Sequence, residues 1–81
     1  MKEVLIFGHD GCSPCKVAKK ELEKRIPIKY IDCMENQKAA VRFNVQHTPT
    51  IVLIDGNREL ERWAAWSPKI GDGVVAMYAG G

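Results

Sequence analysis

The sequence predicts an α/β domain in which a mixed four-stranded sheet is flanked by three helices, in the order β-α-β-α-β-β-α. Three observations support this fold class. Residues 4–7 and 50–54 are short apolar runs with the length of buried strands. Between them, helical and strand-like stretches alternate, which is typical of a parallel strand pair. Asp55, Gly56 and Asn57 form a turn signal that predicts a closing hairpin.

The first half of the chain is predicted to form a strand, a helix and a second strand. A loop over residues 8–11 follows the first strand, and a helix over residues 14–25 follows the loop. The apolar residues expected to face the core along this helix are Cys15, Ala18, Leu22 and Ile26. Pro27 ends the helix because proline cannot continue the hydrogen-bond ladder. Residues 28–32 alternate between apolar and polar side chains, which predicts the second strand.

A short helix and a hairpin are predicted next. Residues 36–43 have helical character, and Asn44 is a suitable left-handed stop. The strand over residues 50–54 is the most apolar run, so it is predicted to be central in the sheet. Residues 58–63 return as its antiparallel partner after the turn.

The last predicted element is a helix that begins at Pro68, with Ser67 as its N-cap. Gly71 and Gly73 weaken this helix, so it is expected to be regular only from Asp72 onward. The two glycines that follow it are expected to form a short tail.

The composition limits the classes of function. The 81 residues are enough for a single domain, predicted to span residues 1–81 as a monomer. The net charge is +2 and the basic residues alternate with glutamates, which excludes an extended nucleic-acid surface. The apolar run before Gly8 is too short for a signal peptide or a membrane span. We therefore expect a cytoplasmic protein, where three cysteines do not indicate a disulfide scaffold.

The most informative motif is Cys12-Ser13-Pro14-Cys15, which lies between the first strand and the first helix. The amino end of a helix carries partial positive charge and unpaired N–H groups, and both stabilise a thiolate at Cys12. Cys15 lies one turn further along, close enough to form a disulfide with Cys12. An attacking thiol with a resolving thiol beside it predicts thiol–disulfide exchange.

Two motifs together resemble the thioredoxin superfamily. The cysteine pair follows the first strand, and Thr48-Pro49-Thr50 comes later, just before an apolar strand. The length is similar to that of a glutaredoxin, whereas residues 44–50 look more like thioredoxin. Residues 63–68 are similar to the Trp-x-Gly-Phe-x-Pro stretch of the NrdH-type redoxins, which serve ribonucleotide reductase. The resemblance covers nearly the whole chain.

The resemblance implies a role for each motif residue. Cys12 would be the nucleophile and Cys15 the resolving thiol, with no cofactor beyond their redox-active disulfide. Pro49 would be a cis-proline, and the backbone of Thr48 would pair with the substrate chain like an added strand. The implied substrate-binding residues are Thr48, Pro49, Ser13, Pro14 and Trp66. The implied partners are protein disulfides, with ribonucleotide reductase as a candidate, and a thioredoxin reductase as electron donor.

Three departures from the family pattern concern the mechanism and the donor. Ile6 stands where thioredoxins carry a buried acid, and Gly11 replaces the tryptophan before the first cysteine. Residues 64–70 lack the acidic pair with which glutaredoxins bind glutathione, and Asp72 is single. A glutathione-dependent glutaredoxin is therefore the first alternative to a protein that is recharged by a reductase.

Several residues leave further alternatives open. Lys16, one turn past Cys12, and His9 are candidates for thiolate support, although each is also typical of an exposed side chain. Cys33 is expected to be a half-buried spectator, with a regulatory disulfide as the alternative. A zinc module would add Cys33, His9 and His47 to the cysteine pair, but the chain has no second close pair. A redox-inert adaptor that only docks partners is the remaining alternative.

Overall fold

The computed structural model describes residues 1–80, which form seven elements. They are β1 Lys2–Gly8, α1 Ser13–Glu23, β2 Lys29–Asp32, α2 Gln37–Arg42, β3 Thr50–Asp55, β4 Arg58–Trp63 and α3 Pro68–Gly80. The predicted order of elements is confirmed. The predicted glycine tail is wrong at Gly80, which ends α3, and Gly81 lies outside the described residues. No helix in the described range is long and apolar enough to cross a membrane.

The four strands form one mixed sheet in the order β2-β1-β3-β4. β1 pairs in parallel with β2 and antiparallel with β3, and β3 pairs antiparallel with β4. The two apolar runs are therefore the two central strands. Their lack of alternation follows from burial on both sheet faces, which excludes polar side chains from either side. The predicted mixed sheet is confirmed.

β1 divides the core between the two faces of the sheet. Val4 and Ile6 pack against α1 and α3 on one face. Leu5 and Phe7 point to the opposite face, where the Phe7 ring centroid lies 5.3 Å from that of Phe43, the residue after α2. This division follows from strand geometry, because successive side chains point to opposite faces.

Helix α1 confirms the predicted inner stripe and shifts the predicted end. The residues expected to face the core are all buried: Cys15, Ala18, Leu22 and Ile26. The helix ends at Glu23, two residues earlier than predicted. The reason is local, because the N–H groups of Arg25 and Ile26 both donate to the Leu22 carbonyl. The Leu22 carbonyl therefore accepts two hydrogen bonds in a tightened last turn, and the regular pattern of helical hydrogen bonds ends there.

The remaining boundaries match the prediction or differ from it by one residue, except that β1 begins at Lys2, two residues earlier than predicted. Gly8 ends β1 rather than opening the loop, Ile28 precedes β2, and Asp55 extends β3. Helix α2 is regular one residue inside its predicted ends, because Asn36 caps it and accepts an N–H at 3.2 Å. Asn44 has the predicted left-handed conformation, with φ of 53°.

Helix α3 is regular from Pro68, so the expectation that it would become regular only at Asp72 is wrong. Ser67 caps the helix as predicted, since its Oγ accepts a backbone N–H at 3.1 Å. Gly71 is buried against the Trp66 ring: an added Cβ would lie 2.5 Å from Cη2. The close approach of this ring compensates for the low helix propensity of glycine.

Gly71→Ala is expected to lower the free energy of unfolding by about 1–3 kcal/mol, because the rigid Trp66 ring must move. The higher helix propensity of alanine, worth up to about 1 kcal/mol, is smaller than this cost. Gly73→Ala is the matched control, since its nearest atom would lie 3.9 Å away, and it should stabilise the protein. Chemical denaturation of both variants measures the contrast. Stabilisation by both substitutions would contradict tight packing at Gly71.

Candidate active site

The predicted functional residues meet at one end of the sheet. The last residues of β1 are Phe7 and Gly8, which pair with Thr50 at the start of β3 and Asp32 at the end of β2. β1 then continues into the loop that carries the cysteine motif. This register places the cysteine motif at the same end of the sheet as the Thr48-Pro49 segment before β3.

Cys12 and Cys15 form a disulfide across the first turn of α1, with an S–S distance of 2.08 Å and a Cα–Cα distance of 5.3 Å. Cys12 is the N-cap of the helix, and its Sγ accepts the Cys15 N–H at 3.2 Å. The sulfur of Cys12 therefore lies where the helix amino end stabilises an anion. Cys12 is 8% exposed and Cys15 is 0% exposed, so a partner can reach only Cys12.

The loop before the cysteine pair is ordered by His9. The His9 carbonyl accepts the Cys12 N–H at 3.1 Å, and its Nδ1 accepts the Gly11 N–H at 3.1 Å. The imidazole thus holds the turn that leads into α1. The Nδ1 atom of His9 accepts a backbone N–H and makes no contact with the Cys12 sulfur through that hydrogen bond. The predicted support of the thiolate by His9 therefore stays a prediction.

Three residues next to the two cysteines are exposed. Ser13 and Pro14 are exposed beside Cys12, in the first turn of the helix. Lys16 is also exposed, and its backbone N–H donates to the Cys12 carbonyl at 3.3 Å. The predicted support of the Cys12 thiolate by Lys16 stays a prediction.

The Thr48–Pro49 peptide bond is cis, as the resemblance implied. Pro49 is buried and Thr48 is half-buried. The Thr50 hydroxyl donates to the His47 carbonyl, which joins the two sides of the turn. Within residues 1–80, neither the N–H nor the carbonyl of Thr48 has a backbone hydrogen-bond partner. The turn therefore offers a free backbone edge at the cysteine end of the sheet.

Arg62 fixes the segment that leads to this turn, although the sequence analysis did not single it out. Its guanidinium on β4 donates to the Phe43 carbonyl at 2.7 Å and to the Glu59 carboxylate at 2.8 Å. The hydrogen bonds from Arg62 lower the pKa of Glu59, so the pair stays charged at neutral pH. The contact joins residues 19 positions apart, which no local pattern reveals.

Trp66 lies between the core and the surface. Its ring is half-buried against Gly71, as described above, and one side lines a cavity of about 270 Å³ between α1 and α3. Several residues of the α1 region, among them Val17 and Arg25, and Pro68 and Asp72 of α3 also line this cavity. The predicted docking role of Trp66 stays a prediction, since packing alone explains much of its burial.

The absence of a side chain at Gly8 leaves space that Tyr30 and Cys15 fill. A methyl group at Gly8 would collide with the Tyr30 hydroxyl and would lie 2.7 Å from Cβ and 2.9 Å from Sγ of Cys15. The hydroxyl therefore borders the same point in space as the buried sulfur. Burial and the Asp32 carboxylate raise the pKa of Tyr30 above its usual value. Tyr30 was not predicted from the sequence, and the available signal was the glycine that ends a strand before the cysteine pair.

Cys33 is a free, half-buried thiol that packs with Leu5 and Phe7, on the sheet face opposite to α1. Burial and the Asp32 carboxylate raise the pKa of the Cys33 thiol, which keeps it in the less reactive form. The predicted spectator role is consistent with this position. Among residues 1–80, no three His, Cys, Asp or Glu side chains lie close enough to hold a metal ion.

Comparison with known proteins identifies thioredoxins as similar in sequence and in fold. A family model described as Thioredoxin matches residues 2–70, from β1 to the start of α3. Thioredoxin-T from Drosophila melanogaster is 32% identical over 65 residues, which covers 72% of this chain. The chain spans 41% of the length of that relative.

Solved thioredoxin structures share the whole fold. Thioredoxin-2, a component of the malaria parasite protein secretion machinery, has a TM-score of 0.85 at 24% identity and covers 100% of this chain and 84% of its own. Thioredoxin 1 from Thermosipho africanus has a TM-score of 0.81 at 26% identity and covers 94% of this chain and 92% of its own. These likenesses confirm the predicted fold class.

Proposed function

This chain belongs to the thioredoxin family, and we propose that it is a thiol–disulfide oxidoreductase domain whose substrates are disulfides in other proteins. Cys12 is the proposed nucleophile and Cys15 the proposed resolving thiol. One observation carries this assignment. Cys12 caps α1 and keeps some exposure, whereas Cys15 is fully buried behind it. A disulfide that approaches the domain meets the sulfur of Cys12 first.

The proposed reaction consists of two displacements that pass two electrons to the substrate. The Cys12 thiolate attacks one sulfur of the substrate disulfide, forms a mixed disulfide and releases the other substrate sulfur as a thiolate. Cys15 then loses its proton to solvent and attacks Sγ of Cys12. The mixed disulfide breaks, the second substrate sulfur leaves as a thiolate and takes up a proton, and the Cys12–Cys15 disulfide remains.

The substrate chain is proposed to lie along the free backbone edge at Thr48. Unpaired N–H and carbonyl groups of this kind bind an extended segment as an added strand, with Pro49 beside it. Ser13 and Pro14, exposed next to the nucleophile, would contact the same segment. Trp66 is a further proposed contact, supported by the cavity that it lines.

A thioredoxin reductase is the proposed electron donor. The segment before α3 carries no acidic pair, and Asp72 in the first turns of α3 is bound by Arg25 at 2.8 Å. The ammonium of a glutathione γ-glutamyl group would therefore have to compete with Arg25 for its charged partner. Ribonucleotide reductase is one proposed substrate, on the likeness of residues 63–68 to the NrdH-type redoxins.

The proposed setting is the cytoplasm, with the chain acting as a monomeric domain over residues 1–81. A reductase keeps a dithiol reduced in that compartment, and a free thiol such as Cys33 persists there. The proposed reaction uses no metal or organic cofactor, because the two sulfur atoms of the pair carry the electrons.

Turnover on a protein disulfide is expected to be about tenfold or more faster with NADPH and thioredoxin reductase than with glutathione and glutathione reductase, since a missing charge-assisted contact has about that effect. Both assays are followed as NADPH oxidation at equal concentrations of the domain. Cys12→Ser supplies the inactive control. Equal turnover with both donors would favour the glutaredoxin alternative, and no turnover with either would contradict the proposed activity.

A further inference from the structure

Cys15 has to ionise in a part of the core without buried charge. Its side chain is 0% exposed, and Thr50 is the only buried polar residue in the described part of the chain. A thiolate in such surroundings is unfavourable unless a hydrogen-bond donor faces it. In the proposed reaction this thiolate forms each time a mixed disulfide is resolved. A neutral donor close to the Cys15 sulfur would meet this need without burying a charge.

Tyr30 brings a donor to this point. The parallel register pairs Tyr30 with Ile6, and both side chains pack on the α1 face of the sheet. The Tyr30 hydroxyl and the Cys15 Sγ border the same point beside Gly8, where an added methyl group would collide with the former and lie 2.9 Å from the latter. The Lys19 ammonium lies 5.9 Å from the ring centroid and holds the ring beneath α1.

The groups around the ring keep its hydroxyl protonated. Burial raises the pKa of Tyr30, and the Asp32 and Asp10 carboxylates add to the rise, as does Cys33 when its thiol is ionised. Lys19 is the cation that faces the ring from α1. A phenol that holds its proton at neutral pH is a hydrogen-bond donor and not a base.

We propose that the Tyr30 hydroxyl donates a hydrogen bond to the Cys15 sulfur as that sulfur becomes a thiolate and resolves the mixed disulfide. This inference rests on the proposed function of the cysteine pair. In the step, the Cys15 proton passes to solvent and Tyr30 keeps its own. The Cys15–Cys12 bond forms, the bond from Cys12 to the substrate sulfur breaks, and its electron pair leaves with the substrate thiolate. In the reverse direction, the same hydrogen bond stabilises Cys15 as the leaving thiolate.

Tyr30→Phe tests this role, because it removes one oxygen and keeps the ring. The reduced protein, in a Cys33→Ser background, reacts with a limiting amount of an aromatic disulfide whose thiolate is coloured. The first phase of colour reports attack by Cys12, and the second reports attack by Cys15. We expect an unchanged first phase and a second phase slowed by about tenfold, the effect of one hydrogen bond to an anion. The pH midpoint of the second phase should rise, because the thiolate has lost its donor.

Tyr78→Phe is the matched control, since Tyr78 packs half-buried against the same core cluster but from α3. It should change neither phase nor the pH midpoint. A second phase unaffected by Tyr30→Phe, or two phases slowed equally, would overturn the inference and leave the proposed function intact. Absence of the first phase in the unsubstituted chain would overturn the proposed function, and the role of Tyr30 with it. Melting curves of the oxidised variants verify that both are folded.

Discussion

Cys15→Ser is expected to hold protein substrates on Cys12 as stable mixed disulfides, and Cys12→Ser is expected to abolish turnover. Without Cys15, the exposed sulfur still attacks, but nothing inside the protein can displace the bound substrate. Without Cys12, the remaining thiol of the pair, Cys15, is 0% exposed and cannot reach a substrate disulfide. We expect both substitutions to lower steady-state turnover by roughly a thousandfold or more, as loss of a nucleophile does.

Mass spectrometry under non-reducing conditions measures the trapped species, and the reductase-coupled assay measures turnover. Cys33→Ser is the matched control, because Cys33 lies on the other sheet face and its raised pKa keeps it in the thiol form. It should leave turnover and trapping unchanged. Trapping by Cys12→Ser, or faster alkylation of Cys15 than of Cys12 in the reduced protein, would reverse the assigned roles.

Gly8→Val is expected to lower the free energy of unfolding by about 3 kcal/mol, near the upper end for overpacking a core. Valine favours a strand by up to about 1 kcal/mol on local grounds. The clash exceeds this gain, because the first added carbon would already lie 2.7 Å from Cβ of Cys15, which the helix holds in place. Denaturant unfolding of the oxidised protein measures the change. A variant as stable as the parent would show that α1 can move away from β1.

A double-mutant cycle separates the two neighbours of Gly8. In Gly8→Ala the new methyl group meets both the Tyr30 hydroxyl and Cys15. Tyr30→Phe removes the hydroxyl and leaves Cys15 in place. The double variant should therefore lose less stability than the sum of the single variants, with a coupling energy of about 0.5–3 kcal/mol. Strict additivity would place the hydroxyl elsewhere.

Elements with local signals were predictable from the sequence. Ser67 and Asn44 act on backbone groups a few residues away, so their identity alone indicates a helix start and a helix stop. The start of α3 was different. Gly71 weakens a helix in isolation, and the compensating contact comes from the ring of Trp66, whose placement depends on how the chain turns before the helix. Helix propensity depends only on the residue type, so it does not include that contact.

The candidate site divides in the same way. Both thiols and the proline typical of a first helical turn lie within four consecutive residues. The redox pair and its position at a helix start could therefore be predicted together from the sequence. Tyr30 reaches Cys15 only because β2 pairs with β1 in one register and because Gly8 leaves room for the hydroxyl. Arg62 likewise satisfies carbonyls after α2 from a strand 19 residues away. Contacts of this kind depend on the assembled sheet.

The central position of β1 in the sheet helps to keep Cys15 buried while Cys12 stays partly exposed. β1 lies between strands that both follow it in the chain, and its ladder with β3 runs from Lys2–Asp55 to Phe7–Thr50. Closing that ladder spans about fifty residues, whereas the β3–β4 hairpin closes across a short turn. β1 is also buried between β2 and β3, so it separates from β3 only when the sheet itself opens. Separation of β1 would expose the side of Cys15 that packs against Gly8. The difference in accessibility between the two sulfurs therefore depends on the β1–β3 ladder, which joins the residues furthest apart in sequence among the described strand pairs.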